Sequence, residues 1–176
     1  MKSIEKKYIL NQKEFSVISA GFGITQVYGL GAINKAADSK EICLALHNMY
    51  VNELIDNKNE EGFETDKELA DVLKGIREAA YLIRGCKQDK TDTLCCYIGN
   101  ICSIIEINDN YPDKVIAYPA NWEDAKTEIL DMFDEAAGSI ELLDIKSKTV
   151  KASREFEAKS EDIENVLEQM YKEVTQ

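Results

Sequence analysis

The stretch from Thr91 to Tyr118, TDTLCCYIGNICSIIEINDNYPDKVIAY, constrains the fold more than any other part of the chain. Its apolar runs are separated by turn signals at the distances expected for three short strands in succession. Gly99-Asn100 is a two-residue hairpin signal, because glycine can supply the positive φ that a primed turn requires. Asn108 to Asp113 supplies the second connection. The stretch therefore predicts three consecutive antiparallel strands, the third from Lys114 to Tyr118.

The pairing of the first two strands decides which side chains share a face. With Gly99-Asn100 as the whole turn, residues on the two strands pair around it one by one. The predicted pairs are Ile98 with Ile101, Tyr97 with Cys102, Cys96 with Ser103, Cys95 with Ile104 and Leu94 with Ile105. Both faces of this hairpin are largely apolar, whereas a sheet with one wet face alternates apolar and polar residues. We therefore expect helices on both faces.

The rest of the chain predicts those helices and one further hairpin. Helix starts are indicated by residues whose side chains can cap backbone amides, in two cases with a glutamate three residues later. The predicted helices start at Asn11, Ser39, Thr65, Asn121 and Ser160, and the fourth ends at Gly138. The second helix covers Lys40 to Asp56, and its inward residues are Cys43, Leu46, Met49 or Tyr50, and Leu54. The third has an apolar stripe of Leu69, Val72, Leu73, Ile76, Ala80 and Ile83. Ser139 to Ile145 and Lys148 to Glu157 predict the hairpin, whose charged second arm suits an exposed sheet edge.

These elements predict one α+β domain spanning residues 1–176. Its parts are a helical part at 11–86, central strands at 91–118 and a helix-hairpin-helix at 121–176. A chain of 176 residues is long enough to bury a substantial core as a single unit. The expected fold class is α+β, with a central antiparallel β-meander and a second hairpin flanked by helices on both sides.

Charge and hydropathy narrow the classes of partner. The formal net charge is −12, and the acid excess is concentrated in the last third of the chain. An acidic surface repels phosphates, so we expect no nucleic-acid partner and no anionic membrane surface. No window approaches the run of about 18 apolar residues that membrane insertion needs, and the amino terminus lacks the long apolar core of a signal peptide. We expect a cytoplasmic protein whose partner is another protein.

Residues with catalytic or metal-binding chemistry do not form a diagnostic pattern. The five cysteines lie mostly in apolar runs and lack the spacing of zinc sites. His47 is the only histidine, and nothing in the sequence brings a reactive thiol to it apart from Cys43 one helical turn away. Gly21-Phe22-Gly23 lacks the strand context of a nucleotide-binding turn. We therefore predict no cofactor, no metal and no enzymatic activity.

Two other functional classes stay open. The predicted helix pair from Lys40 to Arg84 resembles part of a winged-helix module, which suggests an adaptor or regulator. The mixed charges of its second helix leave no basic recognition face for DNA. A thiol-dependent enzyme centred on Cys95, Cys96 or Cys102 is the remaining class, and one strongly activated thiol would indicate it.

The order of these elements resembles that of the EspG-like proteins of type VII secretion systems. The similarity covers residues 7–135 and is carried by the Tyr8 to Phe15 lead-in, the helices from Lys40 to Arg84, TLCCYIGNICSIIEIN, KVIAY and NWEDAKTEILDMF. Members of this family are cytosolic chaperones that bind helical secretion substrates. The resemblance implies that this chain recognises a helical secreted protein and does not turn it over.

The resemblance also implies where the substrate binds. The family uses the loop between the second and third central strands and the carboxy-terminal helices, which here correspond to Asp109 to Asp113 and to Asp162 to Val174. The candidate protein-binding residues are Asp109, Asn110, Tyr111, Asp113, Glu164, Glu168 and Tyr171. Aromatic residues such as Tyr111 and Trp122, near a loop or a helix start, are frequent binding anchors, although core packing is the stronger expectation for Trp122.

Overall fold

The structure of the protein, a computed structural model, describes residues 6–28, 31–32, 38–59, 62–88 and 92–176. Thr91, with which the predicted three-strand stretch begins, lies outside them. The helices in these ranges are α1 (Gln12–Gly21), α2 (Ser39–Val51), α3 (Lys67–Glu78), α4 (Trp122–Met132) and α5 (Ile163–Thr175). The strands are β1 (Tyr8–Asn11), β2 (Gln26–Val27), β3 (Gly31–Ala32), β4 (Ile55–Asn59), β5 (Gly62–Thr65), β6 (Tyr81–Lys87), β7 (Thr93–Tyr97), β8 (Cys102–Ile107), β9 (Lys114–Ala120), β10 (Gly138–Asp144) and β11 (Thr149–Phe156). None of the helices in the described ranges is both long and apolar enough to cross a membrane.

Seven strands form one antiparallel sheet in the order β1-β9-β8-β7-β6-β10-β11. The strands β6 to β9 are the central meander, and the β10–β11 hairpin extends the sheet by pairing with β6. Two short hairpins, β2–β3 and β4–β5, lie outside this sheet. The predicted α+β class, with a meander and a second hairpin between helices, is confirmed.

The sheet separates two hydrophobic cores. Alternate residues of the central strands point to opposite faces, so that Cys95 and Ile105 join one core while Cys96 and Ile104 join the other. The first core is covered by α1, α2 and α3, and the second by α4 and α5. This arrangement confirms the prediction that helices cover both faces. Because α2 packs mainly on α1 and β4, it lies at the outside of its layer.

The predicted register of the first hairpin is wrong by one residue. The actual pairs are Tyr97 with Ser103, Cys96 with Ile104, Cys95 with Ile105 and Leu94 with Glu106. The strands are joined by residues 98–101, not by Gly99-Asn100 alone, and Ile101 in that connection is exposed. The longer turn moves each residue of β7 one position along β8.

The helical part predicted at 11–86 also needs correction. The residues Tyr81 to Lys87 form the strand β6 and do not continue the preceding helix, and Ile55 to Asn59 form β4 and do not continue α2. The extended backbone of Ala79, with ψ of 135°, ends α3. At the end of α2, Glu53 adopts the left-handed φ of 58°. The predicted helix pair from Lys40 to Arg84 is therefore two helices separated by a hairpin and followed by a strand.

Helix capping was predicted with mixed success. The capping box of Asn11 and Glu14 at α1 and the cap of Asn121 at α4 are confirmed. The caps of α2 and α3 are Asp38 and Asp66, one residue away from Ser39 and one from Thr65. At α5 the capping position is Asp162, which makes no side-chain capping bond, so the cap predicted at Ser160 is wrong. Gly138 does not end α4, because that helix stops at Met132 and Gly138 begins β10.

Candidate protein-binding surfaces

The loop between β8 and β9 contains four of the predicted binding residues. One distant and one local hydrogen bond hold it: the amide of Asp109 donates to Asp92 Oδ1 over 2.8 Å, and the amide of Asn110 donates to Asn108 Oδ1 over 3.1 Å. Asp113 has a left-handed φ of 63°. The loop presents the ring of Tyr111, which is 50% exposed. It is a fixed connection that displays one aromatic side chain to solvent.

The other predicted residues lie on α5, where α4 already engages two of them. The ring of Tyr171 stacks on Trp122, with centroids 4.1 Å apart and planes 4° from parallel. Trp122 Nε1 donates to Glu168 over 3.2 Å, and Lys126 Nζ donates to the same carboxylate over 2.8 Å. Lys126 Nζ also lies 3.6 Å from the exposed carboxylate of Glu164. Trp122 therefore packs within the domain, as expected, and Glu168 and Tyr171 hold α5 on α4.

Charge–charge contacts perturb the titration of this α4–α5 network. Hydrogen bonds to Glu123 and Glu168 raise the pKa of Lys126. Hydrogen bonds from Lys126 and Trp122 lower the pKa of Glu168. Both shifts favour the charged pair, as expected where a cation and a carboxylate lie within hydrogen-bonding distance of each other. These ion pairs and hydrogen bonds join α4 to α5 within the domain.

The two sets of predicted residues do not form one surface. The β8–β9 loop lies before the first residue of β9, whereas Trp122 and the Tyr171 ring stacked on it lie beyond its last residue. A strand of seven residues, such as β9, separates its ends by on the order of 20 Å. A single partner would have to reach both ends of the sheet to contact every predicted residue.

An exposed apolar face on α2 is absent from the predicted binding residues. Leu44, Tyr50 and Val51 are 59%, 52% and 63% exposed, and Cys43 and His47 are exposed between them. At 100° per residue these five side chains occupy one continuous arc of the helix, which we call the α2 face. Of the residues expected to point inward, Met49 is buried and Leu46 and Leu54 pack against the core. Cys43 is exposed, and so is Tyr50, the alternative to Met49. The signal in the sequence is that ICLALHNMYV is apolar on more sides than one helix can bury.

Three of the five thiols have the environments of core residues, whereas Cys43 is exposed and Cys86 is half-buried. Burial raises the pKa of the Cys95 thiol to about 12, and a hydrogen bond with Cys102 and burial raise that of Cys96. The same bond lowers the pKa of Cys102, whose side chain is nevertheless buried. Within the described ranges, no three His, Cys, Asp or Glu side chains are grouped so that they could hold a metal ion.

Thiol labelling should distinguish these environments. In the native protein we expect Ellman's reagent to titrate about one thiol per chain quickly, Cys43, followed more slowly by the half-buried Cys86. Cys95, Cys96 and Cys102 should react only after unfolding, because the reagent must reach the thiolate. Cys43→Ser should remove the fast phase, while Cys86→Ser should leave it unchanged. A fast phase that survives Cys43→Ser would point to an activated thiol in the sheet.

Comparison with known proteins adds no relative. The sequence matches no protein-family model and no curated protein, and no solved structure matches its fold. The function proposed for the chain therefore depends on the geometry of its own surfaces and on the resemblance in element order. Among the described residues, the α2 face groups several large exposed apolar side chains on one element.

Proposed function

We propose that the chain is a cytoplasmic, non-enzymatic protein-binding module, a type VII secretion-associated chaperone or adaptor that recognises a helical secreted substrate. The observation that carries the binding role is the α2 face, a largely apolar arc on the outside of the first helical layer. The assignment to type VII secretion comes from the resemblance in element order to the EspG-like proteins.

The α2 face has the size and spacing of a helix-binding surface. The 13 residues of α2 extend over about 20 Å at 1.5 Å per residue. Leu44 and Val51 are seven residues apart and lie nearly above one another, with His47 between them, which is the spacing that a second helix packs against. Isolated exposed apolar residues are common on soluble proteins, but a contiguous group of them is typical of an interaction site.

The β8–β9 loop lies at the same end of the domain as the start of α2. The first turn of α1 connects them, since the amide of Gln12 donates to the carbonyl oxygen of Asp113 over 3.1 Å and Lys13 forms an ion pair with Glu41 of α2. Tyr111 can therefore extend the α2 face toward the loop that the resemblance implies. A partner lying along α2 would meet the loop without crossing the sheet.

Charge indicates which helical partner fits. The chain has a net charge of −12, and exposed Glu53 follows the last turn of α2. A partner helix with an apolar stripe bordered by lysine or arginine would complement this surface and associate faster at low ionic strength. Of the candidate residues on α5, Glu164 keeps an exposed carboxylate that could contribute to the same attraction.

Co-expression with helical type VII substrates tests the proposal. We expect the wild-type chain to co-elute with such a substrate from a sizing column. Leu44→Gln together with Val51→Gln should weaken the complex at least tenfold, because each residue loses apolar contact at the interface while glutamine preserves helix formation. Val150→Thr is the control, since Val150 is also more than half exposed but lies on the edge strand β11.

Absence of any complex with substrates from the same locus would contradict the secretion role. A complex that forms but withstands the double substitution would show that binding occurs elsewhere than on the α2 face. An adaptor outside secretion would bind a partner unrelated to secretion genes. The winged-helix form of that alternative stays a prediction, with α2 and α3 separated by the β4–β5 hairpin and followed by β6.

A further inference from the structure

We propose that a cavity beside the β7–β8 turn binds a lysine or arginine side chain of the protein partner. The cavity has a volume of about 520 Å³ and lies between α3, the 98–101 turn and the end of β9. Its apolar lining includes Val72, Ile101 and Pro119, and its polar lining includes Glu68, Asp71 and Ser103. The proposal rests on the proposed function for the source of the side chain, and it adds the chemistry of one contact.

Ser103 supplies a polar group to the lining of the cavity. Its side chain is only 3% exposed. Gly75 of α3 makes room for it, since a Cβ at that position would come within 2.2 Å of Ser103 Oγ. The hydroxyl belongs to a residue in the wall of the cavity. Its oxygen can accept a hydrogen bond from a group that enters the cavity.

The carboxylates at the cavity favour a cation. The one basic residue among those lining it, Lys6, is held 3.2 Å from Asp66, so its charge is already matched. Asp71 lies 3.7 Å from Lys74, but both side chains are more than half exposed, and such pairs contribute little. Glu68 lies 3.3 Å from the hydroxyl of Tyr8, whose shorter bond, 2.5 Å, goes to Asp66. Glu68 and Asp71 therefore keep capacity for an incoming ammonium or guanidinium group.

The apolar wall suits the stem of a long basic side chain. Lysine and arginine bury their methylene groups against apolar surface while the charged end reaches polar groups. Val72 is buried in the wall, and the exposed side chain of Ile101 borders the opening. A neutral apolar side chain would make no hydrogen bond to Ser103 and no ion pair with the carboxylates. An anionic one would meet Glu68 and Asp71.

An NMR titration of the full chain tests the cavity with small probes. We expect n-butylguanidinium and n-butylammonium to cause saturable shifts of the Val72, Ile101 and Ser103 amide signals. The neutral isostere n-butylurea should bind at least tenfold more weakly. Glu68→Gln with Asp71→Asn should weaken binding of the charged probes at least tenfold. Glu155→Gln with Glu157→Gln, two exposed carboxylates at another surface, should leave it unchanged.

Equal binding of n-butylurea, or charged-probe binding that withstands Glu68→Gln with Asp71→Asn, would overturn the proposal. The same spectra show whether each variant is folded. If the chain forms a complex with its substrate and that double substitution leaves the complex intact, the cavity assignment fails while the proposed function stands. If the probes bind but no helical substrate does, the proposed function fails and the cavity remains a cation site.

Discussion

Replacing Gly138 by alanine should destabilise the protein by about 3 kcal/mol, at the upper end of the usual cost of overpacking. A Cβ at this position would come within 2.2 Å of the carbonyl oxygen of Cys86 and within 2.5 Å of a ring carbon of Phe133. The backbone of Lys87 lies 3.1 Å away. Two of these neighbours are backbone atoms of β6, so the clash can be relieved only by disturbing the pairing that joins the β10–β11 hairpin to the meander.

Urea unfolding followed by circular dichroism measures this effect. Gly21→Ala is the matched control, because no atom lies within 4 Å of its added Cβ and the residue ends α1. The control should be neutral or gain up to about 1 kcal/mol from helix propensity. If Gly138→Ala unfolds within about 0.5 kcal/mol of the wild type, the close approach of β10 to β6 is incorrect.

Lys126→Ala should destabilise the protein by about 2 kcal/mol, because the lysine is only 8% exposed and lies among carboxylates. Its Nζ is 2.8 Å from both Glu123 and Glu168. Without it, Glu168 loses a charged donor and keeps only the indole of Trp122. The fluorescence of Trp122, the sole tryptophan, reports this site directly during unfolding. Lys67→Ala, at an exposed position on α3, should stay within about 0.5 kcal/mol of the wild type.

The effect of Lys126→Ala should also depend on pH. Since the pKa of Glu168 is lowered in the folded state, its carboxylate stabilises the protein above the unfolded pKa of about 4.3. That contribution is lost as the pH falls through the folded pKa. The difference in unfolding free energy between wild type and Lys126→Ala should therefore narrow below about pH 4. A difference that is constant from pH 7 to pH 3 would assign the loss to packing alone.

Elements that depend on local signals could be predicted from the sequence. The capping box at Asn11 and the cap at Asn121 form because neighbouring residues suffice to satisfy the free amides of a helix start. The alternation around Cys95 and Cys96 correctly indicated a sheet covered on both faces. These signals extend over a few residues, so no distant part of the chain is needed to interpret them.

Elements that depend on strand pairing between distant residues could not be predicted from the sequence. The stripe from Leu69 to Ile83 keeps a helical spacing, but β6 forms because β7 and β10 pair with it on both sides. Neither glycine nor proline separates α3 from β6, so no residue signals the end of the helix. The turn after α2 has Glu53 in a left-handed conformation, which a glutamate does not predict. The predicted hairpin register was wrong because Ile98 and Ile101, which are apolar, were assigned to the strands. Both lie in the connection between β7 and β8.

The α2 face could be predicted in part from the sequence, whereas the cavity could not. The excess of apolar residues in α2 is visible in the sequence, although which of them are exposed depends on packing against α1. The cavity is assembled from α3, the 98–101 turn, Pro119 and Lys6, which are distant in sequence. No local pattern can indicate such a site, because its residues become neighbours only when the sheet has formed.

The sheet that separates the two cores also divides the chain into two halves under different constraints. The layer of α1, α2 and α3 contains the proposed binding face, whereas α4 and α5 are fastened by Lys126 and the stacked aromatic pair. Because the buried side chains of the two layers belong to separate cores, we expect most substitutions in one layer to leave the packing of the other unchanged. A relative of this protein could therefore change its partner by altering α2 while its second layer remained intact. The same partition makes α2 the natural segment to redesign for a new partner.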